Sequence, residues 1–271
     1  MVADEPDWVP PGIDTRRANA ARVYDYLLGG NHNFLADQDV ARAIIAVEPN
    51  SRAIGQANRA FLGRAVRFLA AAGIRQFLDI GSGIPTEGNV HEVAQHVAPG
   101  ARVVYADIDE VAIAHSKAIL ADNPDTTIIH GDLRQPGQLL THPGTRRLLD
   151  LSQPAGLLLV AVLHFIPDAD DPWHIVATLR DALAPGSYLV LSHGTDEGKP
   201  AVAHAAEKVY QRAVSTQLRM RPRPDILRFF DGFQLTGPGL VSLPNWQPAP
   251  ASPSGGPGKY WGGLAGVARK P

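Results

Sequence analysis

Between residues 75 and 192 the chain alternates short, continuous apolar runs with stretches of helical periodicity, and this pattern narrows its fold more than any other feature. The runs at 75–80 (RQFLDI), 101–106 (ARVVYA), 126–130, 155–162 and 187–192 have strand length and no regular polar alternation. Each is therefore expected to be a strand buried on both faces. The stretches at 86–97, 110–121 and 171–183 space their apolar residues as helices do. Fully buried strands joined through helices predict an α/β domain with a parallel sheet covered on both sides.

Three helical stretches, 15–28, 35–47 and 51–72, precede the first strand, the first closed by Gly29-Gly30 and the third by Gly73. The organisation predicted is a flexible arm at 1–14, rich in proline, with Asp14 as a helix cap; a helical cap or lid at 15–73; and a core at 74–271. Beyond Gly194 come a helix at 199–219, a segment at 225–230, a strand at 233–243, a Pro/Gly/Ser loop at 248–258 and a strand within 260–268. With only that loop between them, the last two strands should pair antiparallel.

The 271 residues are 45% apolar, and a chain of this size hides roughly 75% of its unfolded surface. Lys and Arg total 25 against 27 Asp and Glu, so no overall positive field draws the protein to nucleic acid or an anionic membrane. The absence of cysteine removes disulfides, thiolate nucleophiles and sulfur-ligated metals. The longest apolar stretch, 155–163, is about half of the roughly 18 residues a spanning helix needs, and the acidic start lacks the features of a signal peptide. A cytoplasmic protein without a membrane span is expected.

Chemistry gathers at the predicted strand ends. The first strand runs through Asp79 into Gly81, Ser82 and Gly83, where glycines let a ligand approach the backbone; Pro85 suits the first turn of a following helix. The second ends in Asp107-Ile108-Asp109, where doubly wound folds place an acid on a ribose diol. Asp109 reads as the cap of the 110–121 helix, leaving Asp107 for the ribose. The third ends in Gly131-Asp132-Leu133, whose carboxylate could accept from an exocyclic amine.

This combination over residues 74–194, with the segment LRDALAPGSYLVLS at 179–192, resembles the class I S-adenosylmethionine-dependent methyltransferases. The segments RVYDYLLGG (22–30), NRAFL (58–62), LDIGSGIPT (78–86) and LHFIPD (163–168) are similar to a bacterial methyltransferase-like family of unassigned substrate. The resemblance implies a Rossmann-like sheet of seven strands, six parallel and the last antiparallel, and S-adenosyl-L-methionine as cofactor. It places Asp79, Gly81, Ser82 and Gly83 at the methionine part, Asp107 at the ribose and Asp132 and Leu133 at the adenine, with Ile108 and Ala161 also beside the cofactor. A third glycine frequent in the broad family is Pro85 here, which the narrower family shares, so the turn is read as a variant.

A small-molecule acceptor is expected near the ends of the fourth and fifth strands. There His164 could orient the acceptor or take its proton, and His193 could line its site. Tyr24, Tyr26, Asn33 and Phe34 would come from the lid, Tyr24 as a catalytic candidate and the others as acceptor contacts. His91 and His96, five apart, diverge around a helix and do not form a zinc pair. The arginines at 212, 219, 221, 223 and 228 read as a solvated face, with an anionic ligand as the alternative. Two other functions stay open: a non-catalytic cofactor-binding regulator, and an NAD-dependent oxidoreductase, whose glycine motif would require glycine at Thr86.

Overall fold

The computed structural model describes residues 13–85, 88–214, 216–247 and 262–271. The arm up to residue 12, Thr86 and the Pro/Gly/Ser loop lie outside the described residues. Three helices come first: α1 (Ala20–Leu28), α2 (Leu35–Val47) and α3 (Ser51–Ala71). The cap of α1 is Asn19, whose side chain accepts from the Ala21 N–H, so the helix opens later than Asp14 predicts.

The sheet follows the expected alternation: β1 (Gln76–Ile80), α4 (Val90–Val97), β2 (Arg102–Asp107), α5 (Glu110–Leu120) and β3 (Thr126–His130). Then come α6 (Pro136–Thr141), α7 (Pro143–Leu148), β4 (Gly156–Val160), α8 (Pro172–Ala182) and β5 (Tyr188–Gly194). The chain closes through α9 (Pro200–Ala213), α10 (Arg223–Leu227), β6 (Gln234–Leu235), β7 (Val241–Ser242) and β8 (Gly263–Arg269).

The order across the sheet is β3-β2-β1-β4-β5-β8-β6, with β7 also on β8. Strands β1 to β5 are mutually parallel and β8 runs antiparallel between β5 and β6. The strand expected at 233–243 is interrupted: β6 and β7 both pair β8 antiparallel, and the turn between them contains Gly237-Pro238. The sheet thus counts eight strands where seven were expected, with the sixth of those divided in two.

Alternate residues of the parallel strands feed two cores, which is why the strands read as unbroken apolar runs. Leu157, Leu159, Leu189 and Leu191 pack on one face with Leu139 of α6, Leu148 of α7 and Leu179 of α8. Phe77, Leu158 and Val190 pack on the other face with Phe61, Leu62 and Leu69 of α3. A third cluster joins α1 and α2 to α9 through Val23, Leu27, Val40, Ile44, Ala206 and Tyr210. The region over the strand ends is therefore built from both the beginning of the chain and its later third.

Two other expectations change. The helix expected from residue 86 begins at Val90, capped by a reciprocal box in which Asn89 meets the backbone of Glu92 and the Glu92 carboxylate accepts from the Asn89 N–H at 2.9 Å. Pro85 consequently lies in the loop before α4, not in its first turn. His91 spends its Nδ1 on the Tyr105 hydroxyl at 2.7 Å, inside the core.

Leu158 is fully buried on the central strand β4. Leu158→Ala should lower the unfolding free energy by about 2–5 kcal/mol, read by urea denaturation. A loss well under 1 kcal/mol would mean that this face is not close-packed.

Candidate functional site

The carboxyl ends of the parallel strands share one edge, and β1 to β5 all open there into a cavity of about 800 Å³. Its wall includes Asp79 of β1 with Gly81, Ser82 and Gly83 after it, Asp107 at the end of β2 with Ile108 after it, Asp132 and Leu133 after β3, Ala161 and His164 after β4, and His193 of β5. From above, Tyr24, Ile54, Asn58, Arg59, Ala206 and Tyr210 close over it.

The glycine turn is fixed by its backbone. Gly81 adopts φ +74°, and any Cβ there would collide with Val162; its N–H donates to the Ala106 carbonyl at 2.8 Å. Gly83, at φ +68°, has open space where a Cβ would stand, and its N–H donates to Asp107 Oδ2 at 2.7 Å. Asp107 Oδ1 accepts from the Asp109 N–H at 2.9 Å, while Asp109 caps α5 through the Ala112 N–H. Carboxylate oxygens accept more than one bond, so Asp107 keeps lone pairs for a diol.

Burial pushes the Asp107 carboxyl up against the opposing pull of those backbone donors. Asp79 is pushed up to about 7, chiefly by burial, with Arg59 pulling the other way. Burial would raise Asp132 too, but its bonds to Arg134 prevail and hold it below the usual carboxylate range. Ser82 Oγ is buried without a hydrogen-bond partner among the described residues, beside the same cavity. An orphaned hydroxyl, an open glycine, a diol-spaced carboxylate and two further acids fit the donors and acceptors of an adenosyl amino acid.

A relay of hydrogen bonds ties the upper helices to the strand ends. Tyr24 donates to the Gly55 carbonyl at 3.1 Å and accepts from Asn58 Nδ2 at 3.0 Å. The Ser192 hydroxyl donates to Asn58 Oδ1 at 2.6 Å and accepts from the Ala161 N–H at 3.0 Å. This holds Ala161 at φ +57°, a conformation that costs a non-glycine residue of order 1–3 kcal/mol and is found where a site imposes it.

The two histidines are held by different atoms. His164 Nδ1 accepts from the Gly194 N–H at 3.2 Å. His193 Nδ1 lies 2.6 Å from the Gly194 carbonyl and must donate to it, so its Nε2 accepts from Arg221 Nη1 at 2.8 Å. Burial, then Arg221, pushes His164 down to about 3; burial, then the neighbouring His164, pushes His193 well below its ordinary value. Both rings are neutral.

Other residues expected at the acceptor lie outside the cavity wall. Asn33 donates to Asp25 and to the Gly30 carbonyl, Phe34 lies under the Arg22 guanidinium, and Tyr26 lies under Arg52. Asn33 and Phe34 lie in the connection between α1 and α2, and Tyr26 in α1 itself. The arginine run is not a plain solvated face either. Arg221 is 1% exposed and ion-paired with Asp168, Arg223 pairs with Glu197, and Arg228 covers the Trp173 ring. Sequence reasoning assigns no role to Asn58, Arg59 or Ser192, although the NRAFL segment draws attention to the first two, and it reads Arg221 only as part of a solvated face or an anionic-ligand site.

The fold and this edge define a class I methyltransferase. The family described as S-adenosyl methyltransferase matches residues 6–271, so the chain belongs to that family, and its cofactor is S-adenosyl-L-methionine. The structure is similar to a DUF574 family protein from Streptomyces avermitilis, at 39% identity over 95% of this chain and 99% of that one, with a TM-score of 0.91. It is also similar to a candidate methyltransferase from Thermobifida fusca, at 43% identity, 98% and 99% coverage and a TM-score of 0.90. The N-methyltransferase NodS of Bradyrhizobium japonicum, in complex with S-adenosyl-L-homocysteine, shares the fold at 14% identity, 86% and 97% coverage and a TM-score of 0.50. No curated protein matches. Among the described residues, no helix is long and apolar enough to cross a membrane.

Asp79 sets a pH dependence on the ligand-free protein. Its folded pKa of about 7 exceeds the ordinary value, so the stability linked to its protonation is full in acid and is lost as pH rises through about 7. Asp79→Asn lacks that loss. Its melting temperature should exceed the parent's by a few degrees at pH 8 and by less at pH 5; an equal difference at both would contradict the assignment.

Proposed function

We propose that the enzyme methylates a small molecule held between α1, α3 and α9 and the ends of β4 and β5, with the cytoplasm as its setting. The observation that carries this reading is the continuity of one cavity from the glycine turn and Asp107 to His164, His193 and Tyr24. At about 800 Å³ it lies in the upper part of the range for small-molecule sites, with room for a nucleoside cofactor and a second molecule. The bound cofactor supplies a methyl group on a positively charged sulfur.

The protein's contribution is to bind and orient. Asp107 accepts from the ribose hydroxyls, Ile108 and Leu133 flank the adenine, and Asp132 accepts from its amine. Asp79 and Arg59 face the charged ends of the methionine part, the carboxylate toward the ammonium and the guanidinium toward the carboxylate. Gly81, Ser82 and Gly83 bring backbone close to that chain, and Ala161 borders it. Holding the two reactants in line accounts for much of the rate in a transfer of this kind. His164 and His193 border the acceptor, and Tyr24 holds the lid to the site through Asn58. Tyr26, Asn33 and Phe34 shape that lid rather than touch the acceptor. The pairing of Arg221 and Arg223 with acids supports a small molecule over a nucleic acid as the partner.

Calorimetric titration with S-adenosyl-L-homocysteine tests the assignment. The parent protein should bind it in the micromolar range, and Asp107→Ala should weaken binding at least tenfold, about 1.4 kcal/mol. Unchanged affinity in a folded Asp107→Ala protein would reject the ribose contact.

A further inference from the structure

The side of the cavity away from the cofactor carries polar groups whose protons are already committed. Tyr24 donates to a backbone carbonyl, and both nitrogens of His193 are bonded. Glu48 accepts from the Asn50 backbone and side chain and from Lys199, which together outweigh burial and keep it a weak base. Tyr210 is pushed above its ordinary range by burial. Among these four groups, none stands ready to take a proton.

His164 is the informative case. Its Nδ1 lone pair receives the Gly194 N–H, so the neutral ring carries its single proton on Nε2. It lines the cavity with a fixed N–H donor, not with a base.

The field at His164 has a sign as well. The Arg221 guanidinium, 1% exposed, sits behind His193 and donates to the Leu163 and Ile166 carbonyls, while its carboxylate partner Asp168 is 49% exposed and so partly screened by water. Arg219, on the same segment, donates its backbone N–H to the His164 carbonyl and directs its guanidinium to Asp168 and Glu207. The balance at the ring is positive. Phe165 packs on the His164 ring, and Leu27, Ala206, Leu218 and Met220 give the cavity further apolar wall beside the polar Thr216, Gln217 and Asp170.

On the reading that the cavity holds S-adenosylmethionine, we propose that the acceptor is an apolar molecule with an acidic hydroxyl, a phenol or enol, which binds as its oxygen anion against His164 Nε2–H. The proton leaves to solvent before transfer. The oxygen lone pair then forms the O–CH3 bond as the S–CH3 bond breaks and its electron pair returns to sulfur. The negative oxygen and positive sulfur cancel, and no proton remains for the protein to remove. A neutral amine would instead leave a new cation beside the Arg221 charge, with neither His164 nor His193 able to take its proton.

The test uses 4-nitrophenol as probe, whose anion is read by its visible absorption, with the protein loaded with sinefungin, an adenosyl analogue bearing an ammonium in place of the sulfonium. Calorimetry first establishes that the analogue binds; failure there overturns the methyltransferase site itself and this inference with it. With the analogue bound, the probe's acid strength on the protein should rise at least tenfold over its solution value, its pKa falling accordingly. His164→Phe should remove most of that shift, and His164→Gln, which restores an N–H at similar reach, should keep it. The loaded wild-type protein alone decides the matter if a variant does not fold. A probe bound with an unchanged or raised pKa, or one that the loaded protein does not bind, overturns the proposal while the cofactor site stands; a His164→Phe protein equal to wild type overturns the role of His164.

Discussion

The parallel register of β1 between β2 and β4 is the constraint from which the rest of the site follows. It sets Ile80 beside Ala106 and Asp79 beside Leu158, while β2 sets Asp107 beside His130 and β4 sets Val160 beside Ser192. Five strand ends therefore finish at one level, and the loops that leave them converge on one cavity. In an antiparallel arrangement alternate ends would point away. The bond from Gly83 to Asp107 is a direct product of this register, since it joins the turn after β1 to the end of β2. The same bond orients the Asp107 carboxylate on the cavity wall.

The second determinant is the attachment of the N-terminal helices. Ser192 lies in β5 and Asn58 in α3, yet one short hydrogen bond links them, and Asn58 passes the constraint to Tyr24 of α1. Buried networks of this kind are costly when incomplete and specific when complete. The result is a partly covered cavity whose upper wall is tied to the sheet by hydrogen bonds. Arg221 plays the corresponding part on the other side, anchoring the segment after α9 to Leu163, Ile166 and His193. The N-terminal helices and the sheet edge are thus joined by one polar framework with apolar infill.

Much of this was legible in the chain. The continuous apolar runs identify the strands because a parallel sheet has no wet face, and Asp79, Gly81, Gly83, Asp107 and Asp132 stand at the ends of those runs. What escaped was either short or distant. Pro136 and Pro143 open α6 and α7, two helices of six residues each, too short to show a period. The box of Asn89 and Glu92 was visible, but Pro85 offered a competing start for α4. Tyr26 belongs to the cavity-lining helix but lies under Arg52, outside the wall, and the Gly29-Gly30 turn carries Asn33 and Phe34 away from the cavity. The partnership of Asn58 with Ser192 spans 134 positions, and that of His193 with Arg221 spans 28; no local pattern encodes either.

These histidines also show how fold and chemistry separate. Position alone makes His164 a candidate base, since it follows β4 at the ligand-binding edge. Its hydrogen bonds decide otherwise, because the nitrogen that would accept a proton is already engaged by backbone. The central claim, that the ends of the first strands together hold one adenosyl group, is tested most directly by a crystal structure with S-adenosyl-L-homocysteine bound. The account predicts ribose hydroxyls within hydrogen-bond distance of Asp107 and adenine between Ile108 and Leu133. A nucleoside seated anywhere else on the molecule would contradict it.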